Sequence, residues 1–178
     1  MYKILKSLGS WNFGNRFTVE KLLVESSNGL QGEFYMRSSS DFAIVMPLLD
    51  AETLVMVEQP RLGIEGLSLE FPMGQVAGKS DDDIATIELK EETGYTAGKL
   101  TLLQRSYPSP GWSKQRALIY VAEDLVAGSA EPEPMEMITV REVGIPELEG
   151  LIRAGRIYSL HSIAAFYLLK DYLAGKLR

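Results

Sequence analysis

In the first half of the chain, apolar residues fall in short, strand-length runs rather than at helical spacing. FTVEKLLVES (residues 17–26) and QGEFYMR (31–37) flank Asn28-Gly29, a strong hairpin signal. After the polar break SSSD, the runs FAIVMPLL and TLVMVEQ form a second apolar pair around Asp50-Ala51-Glu52, and LSLEF predicts a short strand ending at Pro72. Helical spacing begins at Asp81 and stops at Gly94, with Ser80 or Asp81 as N-cap. Strands return with LTLLQRS and RALIYVAEDL, separated by the Pro/Gly loop YPSPGWSK. The acidic loop EPEPMEM leads into a short strand, MITV. Pro146 opens a helix over PELEGLIRAG, and a last helix runs from about Leu160 to Ala174. Strands, helix, strands and helices in that order predict layers of α+β type.

Composition narrows the function. The 178 residues suit one domain with a small accessory lobe. A net charge of −6 and a pI near 4.9 argue against a nucleic-acid binder, which would carry a basic patch. With no cysteine, disulfides, thiolate chemistry and Cys-based zinc sites are excluded. The first residues lack the unbroken apolar core of a signal peptide, and no apolar run reaches membrane-spanning length. The expectation is a soluble, cytoplasmic protein with no nucleic-acid or membrane partner.

The candidate chemistry lies around GQVAGKS, residues 74–80. Three residues separate its glycines where the phosphate-cradling loop has four, and Asp81, Asp82 and Asp83 occupy the helix start where a polyphosphate would sit. A P-loop is therefore rejected. In the helix that follows, Glu88, Glu91 and Glu92 sit at i, i+3 and i+4, so all three carboxylates share one face. Like charges at that spacing destabilise a helix by about 0.2–0.5 kcal/mol per pair. Either a hard divalent cation offsets the repulsion, or the cluster is a solvated helix end. Ile84, Ile87 and Ala85 or Leu89 would face a core.

FPMGQVAGKSDDDIATIELKEETGY resembles the Nudix box, G-x5-E-x7-R-E-U-x-E-E-x-G-U, with Glu88, Leu89, Glu91, Glu92, Gly94 and Tyr95 in register and Gly74 as first glycine. It departs from the box in three ways: the loop is one residue short, Lys79 or Ser80 stands at the first glutamate, and Ile87 replaces the arginine. EQPR with LEFPMG, the Pro-Gly loop, the acidic loop and GRIYSLHSIAAFYLLKDYL resemble the ADP-ribose pyrophosphatase-like Nudix enzymes. The resemblance implies an α/β/α sandwich with a mixed central sheet flanked by helices. It further implies a Nudix domain over residues 39–178 and an N-terminal antiparallel β-hairpin extension over residues 1–38. That extension would pack across the axis of a homodimer and complete the partner's base pocket.

The implied activity is metal-dependent hydrolysis of a nucleoside diphosphate sugar, ADP-ribose foremost. The alternative is a catalytically weak Nudix-fold nucleotide-binding or sensor module. Carried over by position, Glu88, Glu92 and the carbonyl of Met73 would ligate Mg²⁺ or Mn²⁺, with Glu91 as ligand or in support. Arg61 and Glu70 would contact metal or diphosphate. Glu136, with Glu133 as rival, would be the general base. Arg37 would contact diphosphate or base, and Trp112, in its Pro-Gly loop, would face a pocket. Trp11, Phe17 and Tyr35 either stack on a base or pack. His161, the only histidine, is expected as a capping or surface residue.

Overall fold

The Asn28-Gly29 turn forms where its sequence places it. Gly29 adopts φ 81° and donates its N–H to the Ser26 carbonyl at 2.9 Å. It joins β2 (Phe17–Glu25) to β3 (Gln31–Ser38), which pair antiparallel. A further strand, β1 (Lys3–Phe13), pairs antiparallel with β2, so the expected hairpin is a three-stranded sheet. Two register shifts, between Ile4 and Lys6 and between Ser7 and Gly9, break the alternation along β1 and hide it from a period-two reading.

The computed structural model describes residues 1–14, 16–75 and 78–177. The chain divides into two compact units, one of Met1–Asp41 with Ser106–Ala117, the other of Phe42–Arg105 with Leu118–Arg178. The Pro-Gly loop thus groups with the N-terminal sheet. In that first unit Arg37 exchanges backbone hydrogen bonds with Trp112 (2.7 Å) and Lys114 (3.0 Å). Arg116 grips Asp41 through both Nε (2.8 Å) and Nη2 (2.5 Å).

The second unit holds two sheets. One has the order β7–β4–β9–β8, from β4 (Phe42–Pro47), β7 (Met73–Gly74), β8 (Thr96–Ser106) and β9 (Ala117–Val126). The other has the order β10–β5–β6, from β5 (Thr53–Arg61), β6 (Gly66–Glu70) and β10 (Thr139–Gly144). The two apolar runs read as a pair, β4 and β5, therefore lie in different sheets, with a bridge between Leu48 and Leu54 where the chain passes from one to the other. Asp50 accepts from the N–H groups of Glu52 and Thr53, both at 2.8 Å, and this turn redirects the chain. Continuous apolar runs suit strands covered on both faces, and both strands are buried almost throughout.

Three helices complete the unit: α1 (Asp81–Thr93), α2 (Ile145–Arg153) and α3 (Leu160–Leu173). Helix α1 lays Ile84, Ala85 and Leu89 against Ala43 and Val45 of β4 and Leu118, Tyr120 and Ala122 of β9. Ile87, expected toward the core, is only half-buried. Helix α3 packs on β4. No described helix is long and apolar enough to cross a membrane.

Gly94 ends α1 at φ 78°, donating to the Lys90 carbonyl at 2.8 Å, and a side chain there would strike Ala130 N at 2.7 Å. Gly94→Ala is expected to lose roughly 1–3 kcal/mol from its backbone conformation alone, and more from the collision. Gly155, at φ 66° with nothing near its missing Cβ, supplies the control. In urea titrations Gly94→Ala should lower the midpoint clearly more than Gly155→Ala.

Candidate active site

The helix start and stop fix where the carboxylates of α1 point. Ser80 caps the first turn, accepting from Asp83 N at 3.2 Å, and Gly94 closes the last. Tyr120 donates to Asp82 at 2.7 Å, and Arg105 pairs with Asp81 at 3.0 Å. With the apolar side of α1 committed to β4 and β9, Glu88 and Glu92 turn inward one helical turn apart. They are 8% and 3% exposed. A solvated helix end is thereby ruled out. Glu91 is half-buried.

Both inward carboxylates meet the backbone of β7. Glu92 accepts from the N–H of Met73 at 3.0 Å. A Cβ on Gly74 would fall inside the carboxyl group of Glu88. Glycine is therefore required there for the close approach of strand and carboxylate. Burial pushes Glu88 up to about 7, helped by the charge of Glu91, and pushes Glu92 up to about 8, helped by Glu88. The charge of Glu136 raises both, whereas that of Glu133 acts on Glu88. The acidic loop is brought to this place by a hydrogen bond from Glu131 N to the Glu91 carbonyl at 2.9 Å, which closes over Gly94. Within the loop, Glu133 N donates to Glu136 Oε2 at 2.9 Å.

Arg61 on β5 and Glu70 on β6 form a two-pronged pair at 3.1 and 2.7 Å, with Glu70 only 5% exposed. Arg61 is also the cation whose charge lowers the pKa of Glu92, against the larger effect of burial. The pair lines a cavity of about 460 Å³ together with Ser68, Met73 and Ile64, closed on another side by Tyr158, Ser159, Leu160 and His161. Ser159, not His161, caps α3. The expectation of a capping or surface histidine is corrected: His161 is half-buried, edge-on to Phe42 at 5.3 Å, and faces this cavity. Gln59, two residues before Arg61 and paired across the sheet with Ser68, is buried with its Nε2 lacking an acceptor among the described residues. Neither role could be read from the sequence, because both depend on which strand and helix face each other.

Glu88, Glu91, Glu92, Met73, Arg61, Glu70, Glu133 and Glu136 thus belong to one unit and, Glu133 and Glu91 at its margin, to one charge-coupled neighbourhood. Arg37 and Trp112 belong to the other unit. There the Arg37 guanidinium bonds Gln115 at 3.1 Å and stacks over Phe17, while Trp112 is 54% exposed. Among the described residues, no three His, Asp or Glu side chains group closely enough to hold an ion by themselves. Ile87 stands at the box arginine, and Ser80, near the missing first glutamate, serves as a cap. Val76 and Ala77, at the centre of the shortened loop, lie outside the described residues.

The chain is 28% identical over 163 residues to ADP compounds hydrolase NudE of Escherichia coli (strain K12), covering 90% of this chain and 87% of that one. To an ADP-ribose pyrophosphatase of Bacillus subtilis (strain 168) it is 29% identical over 150 residues, covering 83% and 81%. A crystal structure of an ADP compounds hydrolase superposes with a TM-score of 0.86 at 25% identity, over 98% of this chain and 95% of the other. No family model matches the chain. With the loop–helix carrying its buried glutamates, these likenesses identify a Nudix hydrolase fold of α+β type, and the chain is similar over most of its length to hydrolases of ADP compounds and ADP-ribose.

The raised carboxyls predict a pH signature. Both groups have folded values above the ordinary 4.5, so the folded cation-free chain binds more protons than the unfolded chain between them. Their contribution to stability is full below about pH 4.5 and is lost as pH rises through about 7 to 8. In chelator, the melting temperature should therefore fall between about pH 6 and about pH 8.5, and less steeply in Glu92→Gln. Equal slopes in parent and variant would contradict the buried, uncompensated pair.

Proposed function

We propose that this protein hydrolyses the diphosphate bond of nucleoside diphosphate sugars, ADP-ribose foremost, giving AMP and a sugar phosphate. The observation that carries the reading is the pair of buried carboxylates, Glu88 and Glu92, aimed at the backbone of β7 without a full complement of positive charge. Two ionised carboxylates out of water are costly unless a cation joins them. Mg²⁺ or Mn²⁺ fits this donor set. Mg²⁺ is ordinarily held by one or two carboxylates, with waters and substrate phosphates completing the shell, so no closed protein cage is needed. Glu88, Glu92 and the Met73 carbonyl would hold it, with Glu91 alongside, in space that a side chain at position 74 would fill. When bound, the cation would supply neutralisation of phosphate oxygens and acidification of the attacking water.

The chain's own groups do the rest. Water attacks one phosphorus, a new P–O bond forms, and the bridging P–O bond breaks toward the other phosphate. Glu136 takes the water's proton as general base; its charge already acts on both inward glutamates, which favours it over Glu133. Arg61 is oriented by Glu70 through Nε and Nη2, leaving Nη1 to meet a diphosphate oxygen. Glu70 therefore acts through Arg61. The names of the similar hydrolases support an ADP-containing substrate. We place the protein in the cytoplasm.

We also propose a homodimer formed through the N-terminal sheet. That sheet exposes Ile4, Leu8, Trp11, Phe13 and Tyr35, more apolar surface than a small sheet retains without a partner. Sedimentation at micromolar concentration should give twice the chain mass, and a fully active monomer would refute it.

Glutamine variants test the roles. Glu88→Gln and Glu92→Gln should fold, melt in chelator no lower than the parent, and lose about 100-fold or more in turnover. Mn²⁺ binding by calorimetry should weaken in both. Glu136→Gln should keep Mn²⁺ affinity and lose about 10²–10⁴-fold in kcat. Parent-like metal binding and hydrolysis in the Glu88 and Glu92 variants would overturn the reading.

A further inference from the structure

We infer that His161 reads the sugar-phosphate half of the substrate, as a hydrogen-bonding group that contacts hydroxyls of a pentose seated in the cavity between β6 and the first turn of α3. The inference rests on the hydrolase reading above and goes beyond it by assigning the cavity and the residue that selects its occupant.

Four observations carry it. The first is position: Met73 both lines the cavity and donates its N–H to Glu92 at 3.0 Å, so the cavity lies one residue away from the carboxylate pair. A diphosphate held at Glu88 and Glu92 places one of its two substituents here. The second is size: about 460 Å³ lies within the ~300–1,000 Å³ of small-molecule sites and accommodates a pentose.

The third is charge. Arg61 is the one cation lining the cavity among the described residues, and Glu70 offsets it, so the walls suit an uncharged, polyhydroxylated group rather than a second anion. Ser68 offers a hydroxyl, and Tyr158 offers an apolar face for sugar C–H groups.

The fourth is His161 itself. Neither of its ring nitrogens has a hydrogen-bond partner among the described residues, although the residue is half-buried. Burial lowers its pKa from 6.5, so the ring is neutral at pH 7 and presents one donor and one acceptor. That pairing matches a vicinal diol. Its position is fixed: Ser162 next to it accepts from Phe71 N at 3.0 Å, tying α3 to the end of β6, and Phe42 holds the ring edge-on. A half-buried imidazole locked in place with both nitrogens open is arranged for a ligand.

Product inhibition separates the two halves of the substrate. The parent, with Mg²⁺, is first assayed on ADP-ribose; absence of hydrolysis would count against the functional reading, and binding of ribose 5-phosphate by calorimetry would still test the cavity. In His161→Ala the KM for ADP-ribose and the inhibition constant of ribose 5-phosphate should each rise about tenfold, as for one lost hydrogen bond or two. The inhibition constant of AMP should stay within about twofold, and kcat should change little. His161→Gln, which keeps a donor and an acceptor, should recover part of the loss, and melting curves check that both variants fold. Unchanged ribose 5-phosphate affinity in a folded His161→Ala, or a loss confined to AMP, would overturn the inference.

Discussion

The arrangement of this molecule depends on one close approach: the carboxylates of Glu88 and Glu92 against the backbone of β7. Two like charges one helical turn apart repel, and removing them from water adds a cost several times larger. That their pKa values are driven to about 7 and about 8 expresses both costs. The approach is possible because residue 74 has no side chain, and Glu92 is held by the Met73 N–H. A chain selected for stability alone would place leucine or alanine at these positions, and this uncompensated cost is what makes the pair the candidate site.

Everything around α1 serves to hold that orientation. Its apolar side meets β4 and β9, which leaves the helix no freedom to rotate its acidic side outward. The N-terminus is fixed by Ser80, by Tyr120 on Asp82 and by Arg105 on Asp81. The C-terminus is fixed by Gly94, whose left-handed turn and missing side chain also let the segment at Gly128 and Ala130 lie against it. From there Glu131 bonds α1, and Glu136 enters range of the inward pair. One glycine thus couples the end of the helix to the position of the candidate base.

Where the Nudix box has an arginine, this chain has Ile87, which carries no charge. Arg61, from a different strand and sheet, is the cation whose charge reaches Glu92. Its own position depends on Glu70, and both line the cavity that His161 also lines. Orientation of the site has in this way been shared between α1's caps and the β5–β6 pair.

Much of this was legible in the sequence, because local rules govern it. Ser80 and Gly94 bracket α1 by capping chemistry, Asn28-Gly29 sets a turn, and three glutamates at i, i+3 and i+4 must share a side of a helix. Those signals, with the Nudix resemblance, were enough for the fold class and for a shared carboxylate face on α1; that Glu88 and Glu92 are buried came only from the packing. Other features were not legible, because they arise between segments distant in the chain. The bulges of β1 erase its alternation, and β4 and β5 divide between two sheets although their apolar runs read as partners. His161 faces the cavity because Ser162, 91 residues from Phe71, docks α3 against its backbone. Sequence determined which residues could form the site. Only tertiary packing decided which side of each element turned toward it, since burial and charge act through space and not along the chain.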